Sequence, residues 1–255
     1  MKIIIIAAGS STRLGSETID IPKGLLKIND KSIIEIQLDL FKKNQLSDIT
    51  IITGPDKQKF KLKNVNYIHD NEFQNHDVLC SLMKSKSIMN DKVLTSYSDI
   101  IFDENILCSM LDFKGDIGIA VDLNWERNYV NRTQHTKNEA DNVLIENNKI
   151  LKIKKNIIEY NPTQNLGEFV GLMKLSKKGA KIFVEKFNYL IKFHEGKFHN
   201  APSIKKAYLT DMLQELIDSG ILVEPIIING KWYEIDTPQD LQIARKNAED
   251  LQIDL

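Results

Sequence analysis

Two hydrophobic spacings alternate along the chain. Ile3–Ala7 is an unbroken, mostly β-branched run, as in a strand buried on both faces of a parallel sheet. Ser32–Lys43 switches to helical spacing, with Ile33, Ile36, Leu40 and Phe41 on one side. The alternation continues with strands over Ile49–Thr53, Val65–Ile68, Lys92–Tyr97 and Ile117–Val121, and helices over Val78–Ile88 and Glu104–Leu111. Gly54-Pro55 stops the second of these strands. A βαβα series of this length implies an α/β fold, a parallel sheet with helices on both faces.

The middle of the chain breaks the rhythm. From Asp122 to Lys154 it is polar and carries Trp125, Tyr129, Arg132 and His135. Two short strands are predicted there, Asn142–Glu146 and Ile150–Lys154, with Asn147-Asn148 as a tight hairpin turn between them. Gly167–Leu175 alternates like a strand returning to the main sheet. Lys178–Phe193 and Tyr208–Ser219 follow as helices, the latter closed by Gly220. Leu222–Ile228 and Lys231–Ile235 read as a final β pair, and Pro238–Leu251 as a C-terminal helix. The expected organisation is one domain over 1–255 with an inserted β subregion over 122–165.

Composition narrows the function classes. The chain has 255 residues, 42% of them hydrophobic, enough to bury a sizeable core. Lys and Arg number 34 against 35 Asp and Glu, which argues against a nucleic-acid binder working through a global positive field. It leaves room for one nucleotide in a local pocket. No stretch approaches the ~18 apolar residues of a membrane span. The N-terminal apolar run is too short for a signal peptide, and Ser10-Ser11-Thr12-Arg13 follows at once. Cys80 and Cys108 lie in apolar sequence without CxxC spacing, as reduced core thiols of a cytoplasmic protein would. The histidines form no HxxxH or HExxH pattern, so zinc has no support.

The informative segment is Ala7-Ala8-Gly9-Ser10-Ser11-Thr12-Arg13-Leu14, followed by Pro22-Lys23. Small side chains directly after a strand let backbone N–H groups approach phosphates and a base. Arg13 can fork onto phosphate oxygens, and Lys23 supplies a compact second charge. The segment is neither GxGxxG nor GxxxxGK[ST]. A plain glycine turn is the competing reading; the Arg at this offset and the later Pro-Lys weigh against it.

This pattern resembles the signature of the sugar-nucleotidyltransferase family, A-A-G-x-x-x-R-L followed by P-K, and within it the short bacterial cytidylyltransferases that act on small acceptors. The resemblance implies a Rossmann-like, mixed but mainly parallel sheet, with the 122–165 insertion on the acceptor side. It implies that Ala7, Ala8, Gly9 and Ser10 meet the base and sugar of CTP. Arg13 would hold the β- and γ-phosphates, and Lys23 would offset charge at the α-phosphate. Ser10-Ser11-Thr12 stands where the family often has glycines.

Asp99 and Asp236 each follow a predicted strand, and ligands of open parallel sheets collect at carboxyl ends of strands. Two such carboxylates suit Mg²⁺, which favours a few carboxylates plus phosphates and waters. A turn aspartate and a helix N-cap are the rival readings, with Thr237 the alternative cap before Pro238. The resemblance tilts both aspartates toward metal ligands. Ser98 stands where the family usually has Gly, and Glu234 is a further carboxylate nearby.

For the base, the family has an Asn-x-x-Ser-Leu element, matched at its end by Ser81-Leu82; Asn75 is the upstream candidate, with helix capping as its rival role. For an anionic acceptor, the loop after Asp122 offers Arg127, Tyr129, Arg132 and His135, against the plainer reading of an exposed loop anchored by Trp125. Glu168 and Asp211 are added candidates, the latter with capping as its rival.

The resemblance thus implies Mg²⁺-dependent transfer of CMP from CTP to a small phosphorylated or phosphonate acceptor, with release of pyrophosphate. It implies no nucleic-acid or membrane partner and leaves a homodimer open. The alternatives are uridylyl or guanylyl transfer to a sugar phosphate or molybdopterin, an inactive nucleotide-binding regulatory module, and a Rossmann-type oxidoreductase, which the missing GxGxxG opposes.

Overall fold

The computed structural model describes residues 1–9, 14–15 and 21–248. In chain order the elements are β1 (Lys2–Ala7), β2 (Lys27–Ile28), β3 (Lys31–Ser32), α1 (Ile33–Lys43), β4 (Ile49–Thr53), β5 (Asn66–His69), α2 (Val78–Met83), β6 (Val93–Tyr97), β7 (Ile100–Phe102), α3 (Glu104–Asp112) and β8 (Ile117–Asp122). They continue with β9 (Asp141–Glu146), β10 (Lys149–Lys155), β11 (Asn165–Leu175), α4 (Lys177–Phe193), α5 (Leu209–Asp218), β12 (Glu224–Ile227), β13 (Trp232–Glu234) and α6 (Pro238–Lys246).

The main sheet runs β10-β9-β11-β6-β1-β4-β5, with β8 between β11 and β12. The pairs β1–β4, β1–β6, β4–β5 and β8–β12 are parallel, and β11 is antiparallel to its neighbours. The expected mixed, mainly parallel sheet flanked by helices is the observed architecture.

Why β1 occupies the centre follows from its sequence. Successive side chains of a strand point to opposite faces. Ile4 and Ile6 join the core that also holds Leu79 of α2, Phe183 of α4 and Leu213 of α5. Ile3 and Ile5 join the opposite core, with Phe41 of α1 and Ile106 of α3. A continuous isoleucine run is the pattern that serves both layers.

β11 is longer than its alternation suggested and changes partners along its length. Asn165–Glu168 pairs with β9, and Leu172–Leu175 with β6. The change falls at Gly171, which has φ +85°, and a Cβ there would lie 2.7 Å from the Tyr97 ring. A side chain at this position would be both strained and blocked. Asn147 and Asn148 both take positive φ, 50° and 59°, which is the tight β9–β10 turn. That hairpin extends the main sheet through β11.

Three expectations are corrected. The helix over Val78–Ile88 ends at Met83 and resumes as a 3-10 turn over Lys86–Ile88. Buried Ser85 donates its hydroxyl to the Leu82 carbonyl at 2.6 Å, which competes with helix continuation. The two C-terminal strands do not pair with each other: β12 lies parallel to β8, and β13 pairs antiparallel with β7 in a separate small sheet. Cys108 is exposed on α3, because Ile106, Leu107 and Met110 take the inward face. Cys80 is partly buried, and burial pushes its thiol up to about 11. The expected C-terminal helix runs to Lys246, with Asn247 as its cap; 249–255 lie outside the described residues. No helix among the described residues is long and apolar enough to cross a membrane.

Candidate active site

A cavity of about 640 Å³ opens at the carboxyl ends of β1 and β6. Ala7, Ala8 and Gly9 line it, as do Lys23, Ser81, Asp99, His135, Glu168 and Asp236. Ser10 and Arg13 lie outside the described residues.

Local sequence explains how the charged groups are delivered. Asp99 sits in the turn between β6 and β7. Asp236 follows β13, whose register sets Glu234 opposite Ile100. The Ile235 amide donates to the Asp99 carbonyl at 2.8 Å, tying the two loops together. Asp236 does not cap α6. Thr237 does, through a reciprocal box with Asp240, and Pro238 occupies the first turn. The Asp236 carboxylate is therefore available to the cavity, while its backbone N–H is held by Asp240 at 3.1 Å.

Lys23 joins the pair. Its ammonium donates to Asp99 Oδ2 at 3.0 Å and to Asp236 Oδ1 at 2.5 Å. Burial opposes the charge on Lys23, but the two carboxylates outweigh it and hold the ammonium above the ordinary lysine range. The Lys23 ammonium thus bridges the two carboxylates. Asp99 Oδ1 is buried with no hydrogen-bond partner among the described residues. An orphaned hard oxygen beside a second carboxylate fits Mg²⁺ by donor chemistry. His135 Nδ1 is 3.3 Å from Asp236 Oδ2 and 3.6 Å from Glu234 Oε2, and these three residues can bring one ligand atom each within 4.8 Å of one another.

A second acidic group adjoins the first. Glu168 on β11, Asp141 on β9 and Glu234 on β13 all line the cavity. Burial, then repulsion from Glu234, raises the Glu168 carboxyl well above the usual range, although Tyr129 donates to it at 2.5 Å. Glu168 Oε2 has no partner among the described residues. Burial likewise lifts Asp141 to about 7 against the pull of Lys155. Glu234 is raised by burial and by Asp236, with His135 opposing. Tyr97, Phe169, Tyr208 and Trp232 are the aromatic residues of the same cavity lining, with Phe73.

Several expected site residues lie elsewhere. Asn75 is exposed and absent from the lining; its neighbour His76 lines the cavity instead. Arg127 points to Asp122 and the Gly230 carbonyl, outside the cavity. Tyr129 and Arg132 are buried behind the wall. Arg132 donates to Asp240 at 2.5 Å and to Glu234 at 3.1 Å, and it lies 4.9 Å from the Tyr129 ring centroid. Trp125 anchors this loop through a 3.2 Å bond to the Leu166 carbonyl. Asp211 accepts the amides of Tyr208 and Asn200 at 2.8 and 3.1 Å, so it caps α5 and does not reach the cavity. Its carboxyl is consumed by one backbone donor of the α5 N-terminus and one of the preceding loop.

Sequence reasoning missed Asp70, Asp141, Lys155 and Lys206. The last three line the cavity, and fully buried Asp70 backs it through Ser81 and His76. Asp141 opens a strand, and only the pairing of β9 with β11 brings it beside Glu168.

Residues 3–128 match the model of the MobA-like NTP transferase domain. The CTP:phosphoglutamine cytidylyltransferase of Campylobacter jejuni is 24% identical over 95% of this chain and 98% of its own. The inositol-1-phosphate CTP transferase of T. maritima superposes with a TM-score of 0.73 at 20% identity, covering 100% of this chain and 97% of that one. The CTP:phosphocholine cytidylyltransferase of Streptococcus pneumoniae gives 0.73 at 20% identity, covering 97% and 98%. The strand-tip carboxylates and Lys23 thus meet at one cavity of a fold whose first half, residues 3–128, matches an NTP transferase domain, and the chain as a whole is similar to nucleotidyltransferases.

Proposed function

We propose that the protein transfers CMP from CTP to a small acceptor that carries a phosphate or phosphonate and a cationic amine, releasing pyrophosphate. L-Glutamine phosphate, giving CDP-L-glutamine, is the preferred acceptor, and modification of a capsule or surface polymer is the proposed use. The observation that carries the transfer chemistry is the meeting of Lys23 with Asp99 and Asp236 at the strand tips.

The reaction joins two anions, so its main cost is their repulsion. The acceptor phosphate is ionised at neutral pH and needs no general base to attack the α-phosphorus. The chain's task is alignment and charge compensation. Lys23 turns its ammonium to the α-phosphate. Asp99 and Asp236 would hold Mg²⁺, which when bound offsets charge on the phosphates. Ala7, Ala8 and Gly9 leave the base and sugar close to the backbone.

The acceptor class follows from the acidic wall. Asp141, Glu168 and Glu234 are crowded carboxyls that burial holds above their ordinary range, although Lys155, Arg132 and His135 offset part of the shift. A phosphate placed among them would be repelled, whereas an ammonium bounded by Tyr97, Phe169 and Trp232 would be welcomed. Glutamine phosphate and aminoethylphosphonate carry a protonated amine and phosphocholine a quaternary ammonium; common sugar 1-phosphates lack such a cation.

The test is a matrix of four nucleoside triphosphates against glutamine phosphate, phosphocholine, aminoethylphosphonate and common sugar 1-phosphates, with Mg²⁺, scored by pyrophosphate release. CTP with an amine-bearing acceptor should give the signal. A signal confined to sugar 1-phosphates would refute the acceptor class, and one confined to another nucleotide would refute CTP.

A further inference from the structure

Asp70 lies at the end of β5, fully buried, and its two carboxylate oxygens have different duties. Oδ1 accepts the Glu72 backbone N–H at 3.0 Å and faces His76 Nε2 at 3.1 Å. Oδ2 accepts the Ser81 hydroxyl at 2.8 Å. A carboxylate is an acceptor, and a serine has one proton to give. The Ser81 proton therefore points inward to Asp70. No donor among the described residues is recorded on Ser81 Oγ, and Ser81 is one of the residues that line the cavity. With its proton given to Asp70, the hydroxyl has lone pairs to offer a ligand there and no proton.

This matters because of where Ser81 sits. Leu79 and Leu82, on either side of it in α2, pack in one cluster with Ala8 of the first loop. His76, Val78 and Ser81 line the same cavity as Ala7–Gly9. Cytosine and uracil differ most simply at position 4, where cytosine carries an amino donor and uracil a carbonyl acceptor. A lone-pair-only oxygen matches the first and opposes the second.

We propose that Asp70 is a positioning residue for nucleotide choice: by holding the Ser81 proton inward, it fixes Ser81 as an acceptor for the 4-amino group of cytosine. The inference rests on the cytidylyl-transfer reading above and adds the residue that enforces it. Asp70 touches no substrate and acts through Ser81.

The geometry gives Asp70→Asn a defined outcome. The Glu72 amide can only donate, so the new side-chain carbonyl must take the Oδ1 place and the NH₂ must face Ser81. The NH₂ donates to Ser81 Oγ and turns the hydroxyl proton toward the cavity, where it suits a carbonyl. The expected result is a lower kcat/KM with CTP, a higher one with UTP, and a fall of about tenfold or more in their ratio. Ser81→Ala also lowers the ratio, and adding Asp70→Asn to it changes the ratio no further. A merely structural role would depress both nucleotides alike and would persist in the Ser81→Ala background, and either result overturns the proposal. Wild-type enzyme that uses CTP and UTP equally overturns the cytidylyl reading together with this one. A wild-type preference for CTP that survives intact in Asp70→Asn overturns the positioning role alone. If Asp70→Asn does not fold, as read by thermal melting, Ser81→Ala decides: an unchanged ratio sinks the proposal and a reduced one supports it.

Discussion

The Ile235 amide donates a 2.8 Å hydrogen bond to the carbonyl of Asp99. This backbone bond joins two loops that are far apart in sequence, and it continues the β7–β13 ladder by one step past Ile100 and Glu234. It places the Asp99 and Asp236 side chains at the same end of that small sheet, where Lys23 reaches both.

Lys23→Met and Asp99→Asn should each cut turnover by at least about 100-fold, the scale of losing one preorganised charge at a reacting phosphate. Neither should unfold the protein, since Lys23 and Asp99 are both partly exposed at the cavity. Pyrophosphate release and a thermal melt on each purified variant check this. Turnover at the wild-type level in either variant would remove these residues from the chemistry.

Arg132→Ala should act mainly on stability. The guanidinium is buried between Asp240 and Glu234, and its removal strands two carboxylates that it now neutralises. Breaking a buried ion pair on one side costs about 3–5 kcal/mol. Urea denaturation should show that loss. An Arg132→Ala enzyme of normal stability whose KM for the acceptor has risen steeply would instead return Arg132 to the role of a phosphate ligand.

Arg132 also marks where the sequence stops being readable. The βα alternation, the AAG loop and the Pro-Lys pair depend on short-range patterns, so the sheet and one wall of the cavity were legible. Arg132 and Tyr129 were conspicuous by type, yet residue type does not report which way a side chain turns. Arg132 turned to Asp240 of α6 and Tyr129 to Glu168 of β11, both distant partners. Asp211 was similarly visible as either a ligand or a cap, and its local amides won. Asp70 and Asp141 carried no motif at all. The role of Asp141 comes from strand register, which a single sequence does not encode in any short window, and that of Asp70 from the fold of the loop and helix start that bring Glu72, His76 and Ser81 around it.

Tyr129→Phe should destabilise the fold by about 1–3 kcal/mol, because it removes the donor that Glu168 Oε1 now has while leaving that carboxyl buried. Replacing the acid as well, in Tyr129→Phe/Glu168→Gln, should recover part of the loss, since a neutral amide tolerates the site better than an unpaired carboxyl. A double-mutant cycle in denaturant measures the coupling. Additive effects would mean that the 2.5 Å contact contributes nothing to stability.

Asp141 predicts a pH signature. An unfolded aspartate titrates near 3.8, and burial in the folded protein lifts Asp141 to about 7. Between those values the folded chain binds more protons than the unfolded chain, so this group's contribution to stability is full below pH 3.8 and is lost as pH rises through 7. Asp141→Asn carries no charge at any pH. The melting temperature of the variant minus that of wild type should therefore climb between about pH 4 and pH 8. A gap that stays flat would mean that Asp141 is not desolvated. The same group ties stability to the proposed acceptor. An ammonium arriving beside Asp141 favours its ionised form, so acceptor binding at pH 6 should release protons. Calorimetry in buffers of different ionisation enthalpy reads that release directly. Asp141→Asn should reduce it, and proton uptake by the wild type would exclude a cation from this wall of the cavity.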